Sequence, residues 1–240
     1  MHFAGIIATV TLLTSSAFAQ SNSPQDLLKG LFKEWGQHKS AHITTVRWSK
    51  WPEADGEDFD GNTDLWFERG QGLKVYTTTY WGDSSLFLTD GKTLLLDEFQ
   101  DRVTLVDPID LTGPGRTPAD PADDGGLIPA LFQGLKAYEV QVDEEKPILV
   151  ETVNGSVNLS FTHKPSGNVI TLTLTDGRLT SITYPLTFPW LAGQSGSIRD
   201  EIIRIRYDVK LPKDTFDTKP PKGVPVNDAR TKTGKDPFLL

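Results

Sequence analysis

No cysteine occurs in the 240 residues. That excludes a thiol nucleophile, a Cys-ligated zinc or iron–sulfur centre, and a disulfide framework. Basic residues are outnumbered: 24 Lys and Arg stand against 32 Asp and Glu, a net charge of −8. Such a balance offers no footprint for a nucleic-acid backbone. Histidine is scarce, with four in the chain. His38 and His42 are four apart, but no acidic residue lies between them in a metalloprotease pattern. These two and His163 read as surface side chains. Phosphate-loop and dinucleotide motifs are missing, and Gly193-Gln194-Ser195-Gly196 lacks the spacing of a nucleophile elbow. The acidic run Asp55, Glu57, Asp58, Asp60 does not make a calcium loop. Counted from Asp58, its sixth and twelfth places hold Thr63 and Arg69, where Gly and Glu are needed. A secreted hydrolase therefore has no catalytic constellation to rest on, and no metal or cofactor is expected. The length fits one domain with room for a sizeable core.

Residues 2–19 carry no charged side chain. The apolar stretch Ile6–Leu13 is followed by Ala17-Phe18-Ala19 and Gln20. An apolar region before an A-x-A site reads as a cleaved secretory signal, so the mature chain is expected to start at Gln20 outside the cytoplasm. The run is shorter than the ~20 residues that span a bilayer. No Cys follows the cleavage site to take a lipid anchor.

Ser23-Pro24-Gln25-Asp26 predicts a helix start, with Ser23 as N-cap and Pro24 in the first helical position. Leu27, Leu28, Leu31, Phe32 and Trp35 follow at helical spacing, and Gly36 is a stop. From His42 the texture is that of strands: His42–Trp51, Thr63–Arg69, Leu73–Tyr80, Ser85–Thr89, Thr93–Glu98 and Arg102–Val106. A Pro-, Gly- and Asp-rich loop runs from Pro108 to Gly126, and Leu127–Leu135 is a short apolar helix candidate. A second series comprises Ile148–Val153, Val157–Thr162, Val169–Thr175, Leu179–Tyr184 and Ile198–Lys210. Asn154-Gly155, Ser166-Gly167 and Asp176-Gly177 mark turns between the first four. The tail from Lys219 reads as extended. The pattern predicts one antiparallel sheet of ten or eleven strands, meandering, with an N-terminal helix and a helix-bearing insertion. A sheet that large must curl or close.

Alternation places Leu65, Phe67 and Arg69 on one face, and Asp64, Trp66 and Glu68 on the other. Leu73 pairs in facing with Val75, Leu86 with Leu88, and Leu94 with Leu96. Large apolar groups occupy both faces of several strands, among them Trp66, Tyr76, Phe87 and Leu95. Two readings are open: one face lines a cavity, or both faces are core.

Three stretches, in order, resemble a known family. Gly61-Asn62-Thr63-Asp64-Leu65-Trp66-Phe67-Glu68-Arg69 is similar to a G-x-L-W-x-x-R-P strand pair, with Gly70 where the family has Pro. Ser84–Leu94 is similar to an S-D-G-K-T-L-W hairpin, with Leu95 in place of Trp. Phe216–Asp228 is similar to a closing F-x-x-x-P-P-x-G-V-x-V-x-D. The family is the periplasmic outer-membrane lipoprotein carrier (LolA) with its LolA-like relatives. The match spans Pro24 to Arg230.

The resemblance implies a mainly β domain over residues 20–240, an unclosed half-barrel with a helical lid, monomeric and periplasmic. It implies a hydrophobic cavity lined from the strands by Leu65, Phe67, Leu73, Val75, Leu86, Leu88, Leu94 and Leu96. Leu127, Ile128, Leu131 and Phe132 would stand in the lid. Arg69 matches the Arg that bonds to the lid and holds it shut; a plain strand-end surface charge is the other reading. The implied partners are acylated lipoproteins or lipid, an inner-membrane lipoprotein-releasing transporter and an outer-membrane receptor, with no cofactor. A lipid-sensing regulator on the same half-barrel is the competing function. The Pro108–Gly126 loop departs from the family's lid hinge.

Overall fold

Ser23 takes extended backbone, and its hydroxyl accepts the Asp26 N–H, satisfying one of the donors a helix start leaves open. Its O–H in turn meets the Asp26 carboxylate at 2.7 Å. Helix α1 (Pro24–Trp35) follows, and Gly36 caps it with an N–H to the Phe32 carbonyl. This computed structural model describes residues 23–90, 94–98, 102–106, 127–188 and 194–230. The signal segment, the Pro108–Gly126 loop and Gly91 lie outside the described residues.

The strands are β1 (Ser40–Lys50), β2 (Asp58–Glu68), β3 (Gly72–Thr79), β4 (Ser84–Thr89), β5 (Leu94–Glu98) and β6 (Arg102–Val106). After α2 (Ile128–Leu131) and α3 (Leu135–Gln141) come β7 (Leu149–Val153), β8 (Ser156–Thr162), β9 (Val169–Thr175), β10 (Arg178–Phe188), β11 (Gln194–Tyr207) and β12 (Val226–Asp228). Among the described residues they form one sheet in the order β12-β6-β5-β4-β3-β2-β1-β11-β10-β9-β8-β7. Two antiparallel meanders are thus joined through the long β1–β11 pair. The ends, β12 and β7, do not pair, so the sheet is unclosed. The fold is mainly β with a few helices, as the strand pattern predicts.

The Asn-Gly and Asp-Gly turns form as expected. Asn154 and Gly155 have φ of 51° and 82°, and Asp176 and Gly177 have 51° and 73°. Two consecutive positive φ values match the twist of a two-residue hairpin, and these residue types tolerate them. Bulges fall in the two strands beside β1: β11 carries Ile203 as an extra residue opposite Thr44/Thr45, and β2 carries Asp60 opposite Arg47/Trp48. Each bends the strand at the sheet's centre.

Three elements differ from expectation. The candidate helix Leu127–Leu135 splits into α2 and α3, because Gly134 adopts φ 67°. The tail contributes a twelfth strand, β12, parallel to β6. And His163 is not on the surface: it is 3% exposed, between Gln141 of α3 and Ser166. With the Gln141 oxygen facing Nε2, the network assigns the proton to Nε2 and makes Nδ1 the acceptor of the Ser166 hydroxyl.

The sheet's inner face packs on the helices in one core. Leu28, Leu31, Phe32 and Trp35 of α1 meet Ile43, Leu65, Val75 and Phe87 from one meander, and Leu159, Phe161, Leu172 and Ile182 from the other. A smaller core on the outer face holds Leu88, Leu95, Val103 and Leu105, covered by Phe216 and Val224 of the C-terminal segment. Apolar burial on both faces of this part of the sheet explains why alternation there is imperfect.

Burial holds the His163 pKa down at about 4. The unfolded chain takes this proton near pH 6.5, whereas the folded chain resists it until about 4. Stability from neutral His163 is therefore complete above pH 6.5 and lost progressively between 6.5 and 4, by about 2 kcal/mol at pH 5. Thermal melts at pH 7 and pH 5 should show a smaller loss in His163→Gln than in the natural chain.

Candidate functional site

Register sorts the inner face into tiers running across β1, β2 and β3. Ala41, Phe67 and Leu73 form the first, and Ile43, Leu65 and Val75 the second, which Phe87 of β4 extends. Thr45, Thr63 and Thr77 form the third, with Thr63 and Thr77 hydroxyls 3.2 Å apart. Arg47, Gly61 and Thr79 form the fourth. There Arg47 holds Asp200 through two bonds, Nε to Oδ1 at 2.8 Å and Nη2 to Oδ2 at 3.2 Å. Burial works against the Arg47 charge, but Asp200 outweighs it and the guanidinium pKa is raised. The face thus grades from apolar to hydroxyl to ionic. The helices share a core with its apolar tiers.

Leu65, Leu73 and Val75 lie in that core with Leu127, Ile128, Leu131 and Phe132. Phe67 is half-buried against it and stacks on Phe132, with centroids 4.6 Å apart. The expected placement of Leu86 and Leu88 is corrected: they belong to the outer core, and Phe87 takes the inner face of β4. The reason is register. Val75 pairs with Phe87 and Lys74 with Leu88, so Phe87 shares the face of Val75, while Leu88 meets Leu95 on the other. Leu94 and Leu96 of β5 pair with Thr89 and Phe87. Ile43, Trp35, Phe87 and Tyr184 also join the inner core, beyond the residues that the sequence points to as cavity-lining. Ile43 carries a signal in its strand alternation; Tyr184 carries none.

Two polar side chains tie α2 to the sheet. Arg69, just past β2, sends Nη2 to the Phe132 carbonyl at 2.7 Å, the Gly36 carbonyl at 2.7 Å and the His38 carbonyl at 3.2 Å. Phe132 is the C-cap of α2 and Gly36 that of α1. Carbonyls at helix ends have no partner within the helix, and the dipole there favours a cation. At the other end of α2, the Leu127 N–H donates to the Tyr184 hydroxyl of β10 at 2.8 Å, in a buried position. Arg69 also lies 5.9 Å from the Phe67 ring centroid. Outside these ties, Lys29 of α1 pairs with Glu144 at 2.6 Å, and the Tyr138 hydroxyl of α3 donates to the same carboxylate. Lys29 and Tyr138 together hold the Glu144 pKa low.

The helices meet at two glycines. A Cβ on Gly36 would stand 2.6 Å from the Gly134 Cα, which is backbone and cannot rotate away. Among the described residues, no group of three or more His, Asp or Glu is placed to hold a metal ion.

No family model matches the sequence, and no curated protein matches it. Among solved structures, LprF from Mycobacterium bovis is similar at 15% identity, over 80% of this chain and 97% of that one, with a TM-score of 0.41. A LolA superfamily protein from Nitrosomonas europaea is 10% identical over 82% and 98%, with a TM-score of 0.37. An outer membrane lipoprotein-sorting protein domain from Vibrio parahaemolyticus is 14% identical over 81% and 97%, with a TM-score of 0.35. In the MucA/MucB complex of Pseudomonas aeruginosa the match, at 14% identity and a TM-score of 0.37, spans 60% of the matched chain's length. At these values the likeness carries no functional argument, and function has to be argued from the chain's own geometry.

Gly36→Ala should push the α2–α3 turn away from α1. The expected loss is about 1–3 kcal/mol in thermal or urea denaturation, with faster hydrogen exchange across residues 127–141. Gly30→Ala, where nothing lies within 4 Å, should instead be neutral or stabilising by up to about 1 kcal/mol.

Proposed function

We propose that the chain is a periplasmic carrier. It holds the acyl chains of lipoproteins against the apolar tiers of the inner face, beneath α2, and shuttles them from the inner to the outer membrane. In this reading an inner-membrane transporter loads it and an outer-membrane receptor unloads it. It works as a monomer without a cofactor and catalyses no reaction. Residues 1–19 are its export signal.

The observation that carries the reading is the Arg69 tie. Between sheet and helices lies an apolar core, fastened across by a guanidinium on two helix-end carbonyls and by the Tyr184 hydroxyl. Burying an acyl chain is worth about 0.8 kcal/mol per CH₂, so a long chain gains on the order of 10 kcal/mol. A carrier that kept all of that could not unload. Here a ligand must displace Phe132 and its neighbours and break the Arg69 bonds, each worth on the order of 1–3 kcal/mol. The closed, empty state is thereby stabilised against the loaded one, and release is assisted.

A second reading, a lipid-sensing regulator, is favoured by the complete burial of Leu131 and Phe132. Ligand entry must then displace α2 as a unit, a change that a partner protein can read.

Native mass spectrometry of the mature protein from its own periplasm separates the two. Bound acylated protein supports the carrier, free lipid alone supports the sensor, and a bare mass after exposure to lipoprotein-loaded membranes refutes both. Arg69→Leu should slow lipid release about tenfold, some 1.4 kcal/mol, while uptake changes less. Equal release rates in the two proteins would remove Arg69 from the mechanism.

A further inference from the structure

At the end of the strands away from Arg69, four aromatic rings run in edge contact across the sheet. Trp48 and Phe59 have centroids 6.0 Å apart, Phe59 and Tyr80 6.2 Å, and Tyr80 and Trp81 5.3 Å. Exposure rises along the run, from 38% at Phe59 to 64% at Tyr80 and 84% at Trp81. Large aromatic surface left contiguous in water marks an interaction site more often than chance.

The first ring of the run already holds a guanidinium. Arg199 lies over Trp48, 5.7 Å from its centroid. Its Nη2 donates to Glu57 at 2.6 Å and its Nη1 to Glu201 at 3.1 Å. Ring, cation and carboxylates make one unit, whose charge pairing keeps the Arg199 pKa raised. Beyond Trp48 the rings and the acids continue while the cations stop. The Asp60 carbonyl accepts the Tyr80 N–H, and the Asp83 carbonyl accepts the Thr79 N–H in the turn that carries Trp81. Asp83 is exposed, with no ion pair among the described residues. No Lys or Arg occurs between Trp51 and Glu68 or between Val75 and Gly91.

We propose that this face binds an arginine-bearing basic segment of a partner protein, whose guanidinium groups stack on Tyr80 and Trp81 with Asp83 as counter-charge. The partner's arginines repeat what Arg199 does on Trp48. Arginine suits the site better than lysine because its planar group stacks on a ring while donating in plane to carboxylates. The charge pattern selects a cationic protein over an anionic bilayer surface, which Asp83 would repel. The chain's net charge of −8 steers such a partner in. This inference is independent of the acyl-carrier reading.

The test is fluorescence anisotropy of a labelled peptide alternating arginine and glycine against the full mature chain. A lysine–glycine peptide and phosphatidylcholine vesicles serve as comparisons. Binding should favour the arginine peptide several-fold, weaken about tenfold in Trp81→Ala, and lose much of its salt dependence in Asp83→Asn. Trp81 is exposed enough that its variant should melt as the natural chain does. Equal affinity for both peptides with no effect of Trp81→Ala overturns the proposal. So does vesicle binding that depends on Trp81 in the absence of arginine preference, which would make the face a membrane contact.

Discussion

An antiparallel sheet that does not close leaves an apolar face that only another layer can cover. Here that constraint organises the chain. The helices come from two places in the sequence, before β1 and between the meanders, and converge on one core. The β1–β11 pair brings the meanders side by side, so that Arg69 at the end of β2 and Tyr184 in β10 reach opposite ends of α2. Four residues make α2 too short to persist alone. Its conformation is a product of burial and of those two ties.

The polar contacts around this core differ in kind. Lys29 and Glu144 are each about half exposed, and such a pair contributes little. The bonds to Phe132 and Leu127 satisfy backbone groups that the short helix cannot satisfy itself, and those would be costly to leave bare. Arg47 and Asp200 stand apart, deep and bidentate, at the ionic end of the face. Removing one partner there leaves a buried charge, whereas losing the Lys29 pair returns two groups to water.

Local chemistry made much of the fold legible. Ser23 and Pro24 marked α1, the Asn154-Gly155 and Asp176-Gly177 turns fixed two hairpins, and alternation put Leu65 with Phe67 in one strand and Leu73 with Val75 in the next. Legibility failed where long-range pairing decided. Pairing of Lys74 with Leu88 and of Val75 with Phe87 turns Leu88 outward, and nothing within β4 itself reveals it. β12 is three exposed residues that pair with β6 from afar. His163 carries no local mark of burial; α3 and the Val142–His163 bridge enclose it. At the site, Arg69 was singled out by resemblance to a motif. Its acceptors, two helix-end carbonyls, depend on tertiary placement, and so does the near contact of Gly36 with Gly134.

β12 has a consequence for how the chain is made. Synthesis delivers β6 more than a hundred residues before Val226–Asp228, and until then the β6 edge and the outer core beneath Phe216 and Val224 stand open. An open strand edge beside uncovered leucines is the geometry that recruits other chains. The segment that seals the outer face is thus made long after the edge it covers, so a polypeptide halted short of it would carry nearly the whole sheet and still be adhesive.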